Sequence, residues 1–374
     1  MPDARTDPTE PSAADAAPQG ESPHDHAVVV VGGGPAGCAA AVFTARYGLD
    51  TVVFDRGRSS LRQCAYLENY LGFPGGVGVE TAYELFHDHV ERAGAELVAD
   101  RVTAVERCAD GAVEADGPTG DDGAAGTDGR SETESVCDAV RGNEADEATG
   151  TESVCDGESA ADRDGPTGGF RVELESGDAV VAERVIAATR YGGEYLRPVV
   201  GDDAFETQTH DGETHTQFDR SYAAHDGTTP VDGLYVASPS AESDRQALVA
   251  AGRGARVGLR LLEAHRRDLG FFDGVAAHYD WLRRAASLDE EWAERDRWRE
   301  WAETNRPDDH DVADERWREV RDREIDRRMA TYVDAEEIAS RRDRGRDALL
   351  DGLEEERLLD HLDDERMRAY LDEH

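Results

Sequence analysis

The chain has 374 residues, 38% of them hydrophobic, which at about 100–200 residues per domain suits one large or two modest folded units. Against 83 Asp and Glu stand 41 basic residues, every one an Arg. The formal net charge of -42 excludes the basic stripe that nucleic acid requires and disfavours anionic membranes.

A surface this acidic repels itself in dilute buffer. Concentrated salt relieves it, because the Debye length falls to about 3 Å at 1 M. The absence of Lys, whose long apolar stem exposes hydrocarbon, fits the same salt-adapted reading. No run reaches the roughly 18 apolar residues of a bilayer span, and neither a basic start nor an apolar stretch precedes Val28, so a cytoplasmic protein is expected. Cys38, Cys64, Cys108, Cys137 and Cys155 are odd in number and lack both CxxC and metal spacing, so neither a disulfide framework nor a zinc site is expected.

Residues 1–25 are Pro-, Ala- and acid-rich and read as a disordered tail. Ala27 to Val31 is an apolar, β-branched strand buried on both faces, Ala36 to Tyr47 a small-residue helix, and Thr51 to Asp55 a second strand. A helix follows within 75–95, with Tyr83, Phe86 and Val90 on one face, then short strands from Val102 towards Ala115. Residues 116–169 are low in complexity and duplicated: Glu134-Ser135-Val136-Cys137-Asp138 recurs as Glu152-Ser153-Val154-Cys155-Asp156. This stretch reads as a disordered insert at a hairpin tip, where doubling a loop costs only about 0.6 kcal/mol.

Order returns with alternating Phe170, Val172 and Leu174, then the buried-type run Val185 to Thr189. His210 and His215 fall in a polar loop, and the strand Leu234 to Ala237 leads to a helix from Arg245 to Ala264. Residues 269–374 read as charged helices broken at Pro307. Trp281, Ala285, Leu288 and Trp292 share one face and are expected to pack as core; Leu349, Leu350, Leu353, Leu358, Leu359 and Leu362 also fall at helical spacing. The fold class is therefore α/β: a Rossmann-like domain over 26–268, carrying the insert, followed by a helical region.

Gly32, Gly34 and Gly37 form G-x-G-x-x-G between a buried strand and a helix opened by Pro35 and Ala36. The first glycine allows the tight turn, the second lets backbone approach a diphosphate, and the third lets helix and strand pack closely. Unpaired N–H groups and the macrodipole at such a helix start favour negative charge. Asp55, ending the second strand, is placed to accept from adenosine ribose hydroxyls. The motif alone leaves FAD and NAD open.

Residues 27–106 resemble the opening of the thioredoxin reductase family of flavoproteins, notably in Leu67-Glu68-Asn69-Tyr70-Leu71-Gly72-Phe73-Pro74. A second stretch, Gly233-Leu234-Tyr235-Val236 with Arg245-Gln246-Ala247 and Ala250-Ala251-Gly252-x-Gly254, resembles that family's closing segment. The resemblance implies FAD as cofactor, Asn69 under the isoalloxazine ring, and the backbone of Gln246 and Ala247 facing the ring carbonyl and ribityl chain. Arg56, Val102, Thr189 and Arg245 complete the candidate cofactor contacts. Homodimerisation is the family's habit.

Three departures stand out. The family's redox CxxC is absent; no second glycine fingerprint lies between Thr189 and Gly233, where its NADPH-binding domain would fall; and its A-T-G and G-D become Ala188-Thr189-Arg190 and Ala237-Ser238. Cys64, just before the Glu68-Asn69 segment, is the one redox candidate; burial as a small hydrophobe is the plainer reading. His87 and His89 are expected to be solvated, and no metal site is assigned. The expected function is an FAD-dependent oxidoreductase supplied by an external donor, NAD(P)H or ferredoxin. The alternative is a non-catalytic FAD-binding or structural protein derived from that fold.

Overall fold

Four consecutive valines cannot be solvated on either face, and in the computed structural model Val28 to Val31, at 4% exposure or less, form the centre of the sheet. The structure describes residues 24–108, 168–210, 213–241, 245–307, 310, 312–352, 359 and 364–373. Apart from 24–25 and 168–169, the expected tail and insert lie outside them. Met1–Asp110 and Pro166–His374 form one unit, to which everything below belongs.

β1 (His26–Val31) leads through the fingerprint into α1 (Pro35–Arg46), and β2 (Thr51–Phe54) pairs parallel to β1. α2 (Val79–Arg92) then delivers β3 (Glu96–Val98), which adds to β2 in parallel. β4 (Val102–Arg107) and β5 (Phe170–Leu174) are antiparallel, and Cys108 N–H donates to Gly169 O at 2.9 Å, so the chain leaves and re-enters side by side.

β6 (Ala179–Ala188) organises the seven-stranded sheet. One of its edges holds β1; along the other, its first residues pair with β5 and its last with β9 (Leu234–Ser238). From β6 the chain passes a one-turn helix, α3 (Arg197–Val200), and a hairpin, β7 (Phe205–His210) with β8 (Glu213–Phe218), before entering β9. His210 and His215 therefore lie on paired strands, not in a loop. Their Thr-rich alternation around Asp211-Gly212 is a strong hairpin signal in hindsight.

α4 (Ala247–Asp268) packs directly on α1. A Cβ on Gly254 would lie 1.9 Å from Ala36 O and one on Gly258 3.0 Å from Ala40 O, so glycine is what lets the two helices touch backbone to backbone.

Beyond α4 come α5 (Asp273–Ala276), α6 (Arg295–Thr304), α7 (Asp314–Ala330), α8 (Ala335–Asp351) and α9 (Asp364–Glu373). α7 anchors this region: Trp317 is buried against Phe272, and Glu324 accepts from Arg266 of α4 at 2.7 Å. The expected Trp281 to Trp292 helix is not formed. Arg283 and Arg284 pair instead with Tyr332 and Val333 as a short parallel bridge, followed by tight single turns, and that pairing competes with helix over so short a run. Trp281 is exposed, and the buried tryptophans are Trp298 and Trp317. Leu349, Leu350 and Leu359 face solvent, while Leu353, Leu358 and Leu362 lie outside the described residues. Among the described residues no helix is long and apolar enough to cross a membrane.

Candidate functional site

A cavity of about 610 Å³ opens where β1, β2, β6 and β9 end, at Val31, Phe54, Ala188 and Ser238. The C-terminal edge of a parallel sheet is where ligands of such folds bind. Gly32, Gly34, Pro35 and Ala36 line its floor. Gly32 adopts φ +112°, and a Cβ there would sit 2.8 Å from Ala188 O, so the turn is both left-handed and too tight for a side chain. Gly37 does not line the cavity. Its place is behind the turn, where a Cβ would stand 1.8 Å from Gly32 O.

The start of α1 carries no side-chain cap, because Gly34 is its N-cap, and no acidic residue occupies its first turn. Its unpaired N–H groups are thus left to the cavity, with the positive end of the dipole. In a chain of net charge -42 the lining inverts the balance: Arg56, Arg58, Arg101, Arg190 and Arg245 against Asp55, Asp100 and Glu194. Asp55 accepts from Gly57 N–H at 3.1 Å, which fixes its carboxylate at the end of β2.

His87 is not solvated as expected. Its Nε2 lies 3.1 Å from Gly33 O, as donor in the Nε2–H tautomer, and 3.7 Å from Asp55 Oδ2, so it backs both fingerprint and carboxylate from α2. Burial pushes the nearby Tyr83 hydroxyl up to about 12. Among the described residues no group of His, Cys, Asp and Glu could hold a metal ion.

Across the cavity lie Cys64, Val102, Thr189, Ser238, Arg245, Gln246 and Ala247. Asn69 does not line it, but its Nδ2 donates to Gln246 Oε1 at 3.0 Å. That bond ties the 67–74 segment to the N-cap of α4, and the α1–α4 seam places both opposite the fingerprint. Thr189 is held in turn by Gly192 O at 3.0 Å and Tyr195 OH at 3.2 Å. Ser238 is buried and pairs with Ala188, offering a hydroxyl where a carboxylate would bring charge.

Cys38, Cys64 and Cys108 are free thiols. Cys38 is buried and donates to Gly33 O at 3.3 Å; burial, with the Asp55 charge adding, pushes its thiol up to about 12, which keeps it protonated and inert. Cys64 is exposed rather than packed as a small hydrophobe. Sequence reasoning missed Arg58, Ser59, Arg101 and Tyr191 on the lining; only Asp55-Arg56-Gly57, an Asx-turn pattern, hinted that the loop after β2 curls back.

Residues 26–127 match the family of pyridine nucleotide-disulphide oxidoreductases. The chain is 37% identical over 82 residues to the thioredoxin reductase of Streptomyces coelicolor, covering 21% of this chain and 26% of that one. It is 38% identical over 71 residues to the thioredoxin reductase of Bacillus subtilis, covering 18% and 22%. A solved thioredoxin reductase from Gloeobacter violaceus is 14% identical, with a TM-score of 0.40 over 70% of this chain and 98% of that one. The fingerprint segment is therefore of the pyridine nucleotide-disulphide oxidoreductase type, and the resemblance to thioredoxin reductases read from its residues is borne out there. The chain spans about a quarter of the length of the Streptomyces and Bacillus thioredoxin reductases it matches in sequence.

Proposed function

We propose that the cavity binds FAD and that the protein is a flavin-dependent oxidoreductase fed by an external donor, NAD(P)H or ferredoxin. The observation that carries this reading is the convergence on one cavity of an uncapped helix start, the Asp55 carboxylate and, opposite them, the N-cap of α4 bracketed by Asn69. The residues fit the group. Backbone N–H groups of the fingerprint would hold the diphosphate, Asp55 the ribose hydroxyls, Ser238 the ribityl chain, and the backbone at Gln246 and Ala247 the ring carbonyl. Bound FAD supplies the electron transfer, and the protein supplies orientation and electrostatics.

An external donor is favoured because the sequence from Thr189 to Gly233 carries no second glycine fingerprint, and because among the described residues Cys64 is the one cysteine on the cavity lining. The reading extends to a homodimer, which light scattering in molar KCl tests. Protein purified in molar KCl is expected to carry or take up FAD, seen in its visible spectrum, and to bleach anaerobically with one of NADH, NADPH or reduced ferredoxin. A colourless protein without an FAD-dependent rise in Tm overturns it. Asp55→Ala is expected to weaken FAD roughly ten- to hundred-fold, the scale of hydrogen bonds to a charged acceptor, by fluorescence titration. Neutral Ser238, and a lining with a single cysteine among the described residues, favour one rival, a non-catalytic FAD-binding protein, for which bound flavin resists every donor.

A further inference from the structure

We propose that the Ser59 hydroxyl is a further donor to the cofactor's diphosphate, reaching an oxygen beside Gly34, and that Tyr83 is its positioning residue, donating to Ser59 from behind. This rests on the flavin reading above, but only on its diphosphate. Placement is the first argument. Ser59, in the loop after β2, lines the cavity, and a Cβ on Gly34, the N-cap of α1, would lie 3.3 Å from Ser59 Oγ and 4.0 Å from the hydroxyl of Tyr83 on α2. Two hydroxyls from different elements therefore converge where the helix presents its unpaired N–H groups.

An unused donor is the second. Tyr83 does not line the cavity; it is 3% exposed, and its hydroxyl has no hydrogen-bond partner among the described residues. A buried phenol that has left water without gaining an acceptor is uncommon and calls for a reason. The ring is not placed to turn and find one. It packs among Leu61, Leu67 and Val79, meets His87 edge-on at 5.4 Å, and lies 5.0 Å from the guanidinium of Arg62, which Glu80 holds at 2.6 Å. Burial pushes the phenol up to about 12 although Ser59 pulls it down, so it remains a donor.

The chemistry of Ser59 is the third. Its oxygen accepts from Leu61 N–H at 3.3 Å, a long bond that leaves the hydroxyl proton undirected. A serine hydroxyl donates once and accepts twice, so Ser59 can also accept from Tyr83 and turn its own proton towards an anion. In such a chain each bond polarises the next, and an anionic oxygen at the positive end of α1 completes it.

The test is calorimetric titration of the full chain in molar KCl with FAD and, separately, ADP, for wild type, Ser59→Ala, Tyr83→Phe and the double variant, with urea denaturation of each unliganded protein. Ser59→Ala is expected to weaken both ligands alike, by roughly tenfold. Tyr83→Phe is expected to lose about threefold alone and nothing further in the Ser59→Ala background. Unliganded Tyr83→Phe should be at least as stable as wild type, because its hydroxyl has no partner to lose. Equal affinity of Ser59→Ala and wild type for ADP overturns the proposal and leaves the flavin reading intact if FAD still binds. Losses that simply add in the double variant, or a Tyr83→Phe that is destabilised without ligand, overturn the role of Tyr83. A wild type that binds ADP but no FAD, with ADP weakened in Ser59→Ala, supports the proposal and sinks the flavin reading; binding of neither ligand sinks both.

Discussion

Gly37→Ala is expected to lower stability by about 3 kcal/mol or more and to remove the FAD-dependent rise in Tm. Overpacking a filled core costs about 1–3 kcal/mol when side chains can adjust. Here the added carbon would stand 1.8 Å from Gly32 O, a backbone atom, so the fingerprint turn itself must shift by more than an ångström. That turn carries the N–H groups proposed to meet the FAD diphosphate, so FAD binding is expected to be lost with the turn. Gly34→Ala is the control. Its Cβ would meet the Ser59 Oγ at 3.3 Å, a side chain that can swing away, but it projects towards the cavity. This variant is expected to keep wild-type stability in urea and to lose FAD affinity. Equal urea midpoints for Gly37→Ala and wild type in molar KCl would refute the packing argument.

The second large effect is expected at Glu324. It is 3% exposed and accepts from Arg266 at 2.7 Å, from Arg327 at 2.8 and 2.9 Å and from Arg328 at 2.6 Å; Arg266 is itself 1% exposed and also reaches Tyr47 OH and Val275 O. Burial alone would raise this carboxyl, but hydrogen bonds from Arg327 and the three guanidinium charges hold it down at about 2. Removing one partner of a buried pair costs about 3–5 kcal/mol, because it strands the other. Glu324→Gln is therefore expected to be destabilised on that scale at neutral pH, and replacing the pair together, Arg266→Met with Glu324→Leu, to recover only part of the loss, because Arg327 and Arg328 lose the same acceptor.

The pH dependence has a definite sign. The folded pKa of Glu324 lies below its ordinary 4.5, so its contribution is complete above 4.5 and is lost as pH falls from there towards about 2. The gap between wild type and Glu324→Gln should narrow over that window. His265 and His278, held down at about 3 chiefly by burial and next by Arg184 and Arg327 respectively, act earlier. Unfolded chains take up those protons near 6.5, so stability falls as pH drops from 6.5 towards 3. Denaturation in urea across this range, in molar KCl to screen the acidic surface, measures both; a gap independent of pH would show that Glu324 is not held ionised by its partners.

The parallel core and fingerprint were legible because each rests on local chemistry. Four valines demand a two-sided strand, and the glycines that follow have no other economical reading. The cavity's far wall was legible only through resemblance, since Asn69 and Gln246 meet across 177 positions and no spacing rule brings them together. His87 was misread although it falls at helical spacing with Tyr83, Phe86 and Val90, because nothing local says that this face of α2 meets a carbonyl of the fingerprint turn. The Trp281 to Trp292 stretch shows the opposite failure: helical periodicity was present, but two arginines found a strand partner, and tertiary pairing decided the local structure.

β6 and β9 are immediate parallel neighbours, so the segment from Thr189 to Gly233 leaves the sheet at the cavity end and crosses back to the opposite rim, where Gly233 O accepts from Val185 N–H at 3.0 Å. The last part of that crossover belongs to the layer, since Thr228 bridges Tyr235 of β9 and Gly227 O accepts from Val236 N–H at 2.8 Å, so any replacement must keep it. A module of different size has room at the β7–β8 hairpin, which forms a sheet of its own and shares no ladder with β6 or β9.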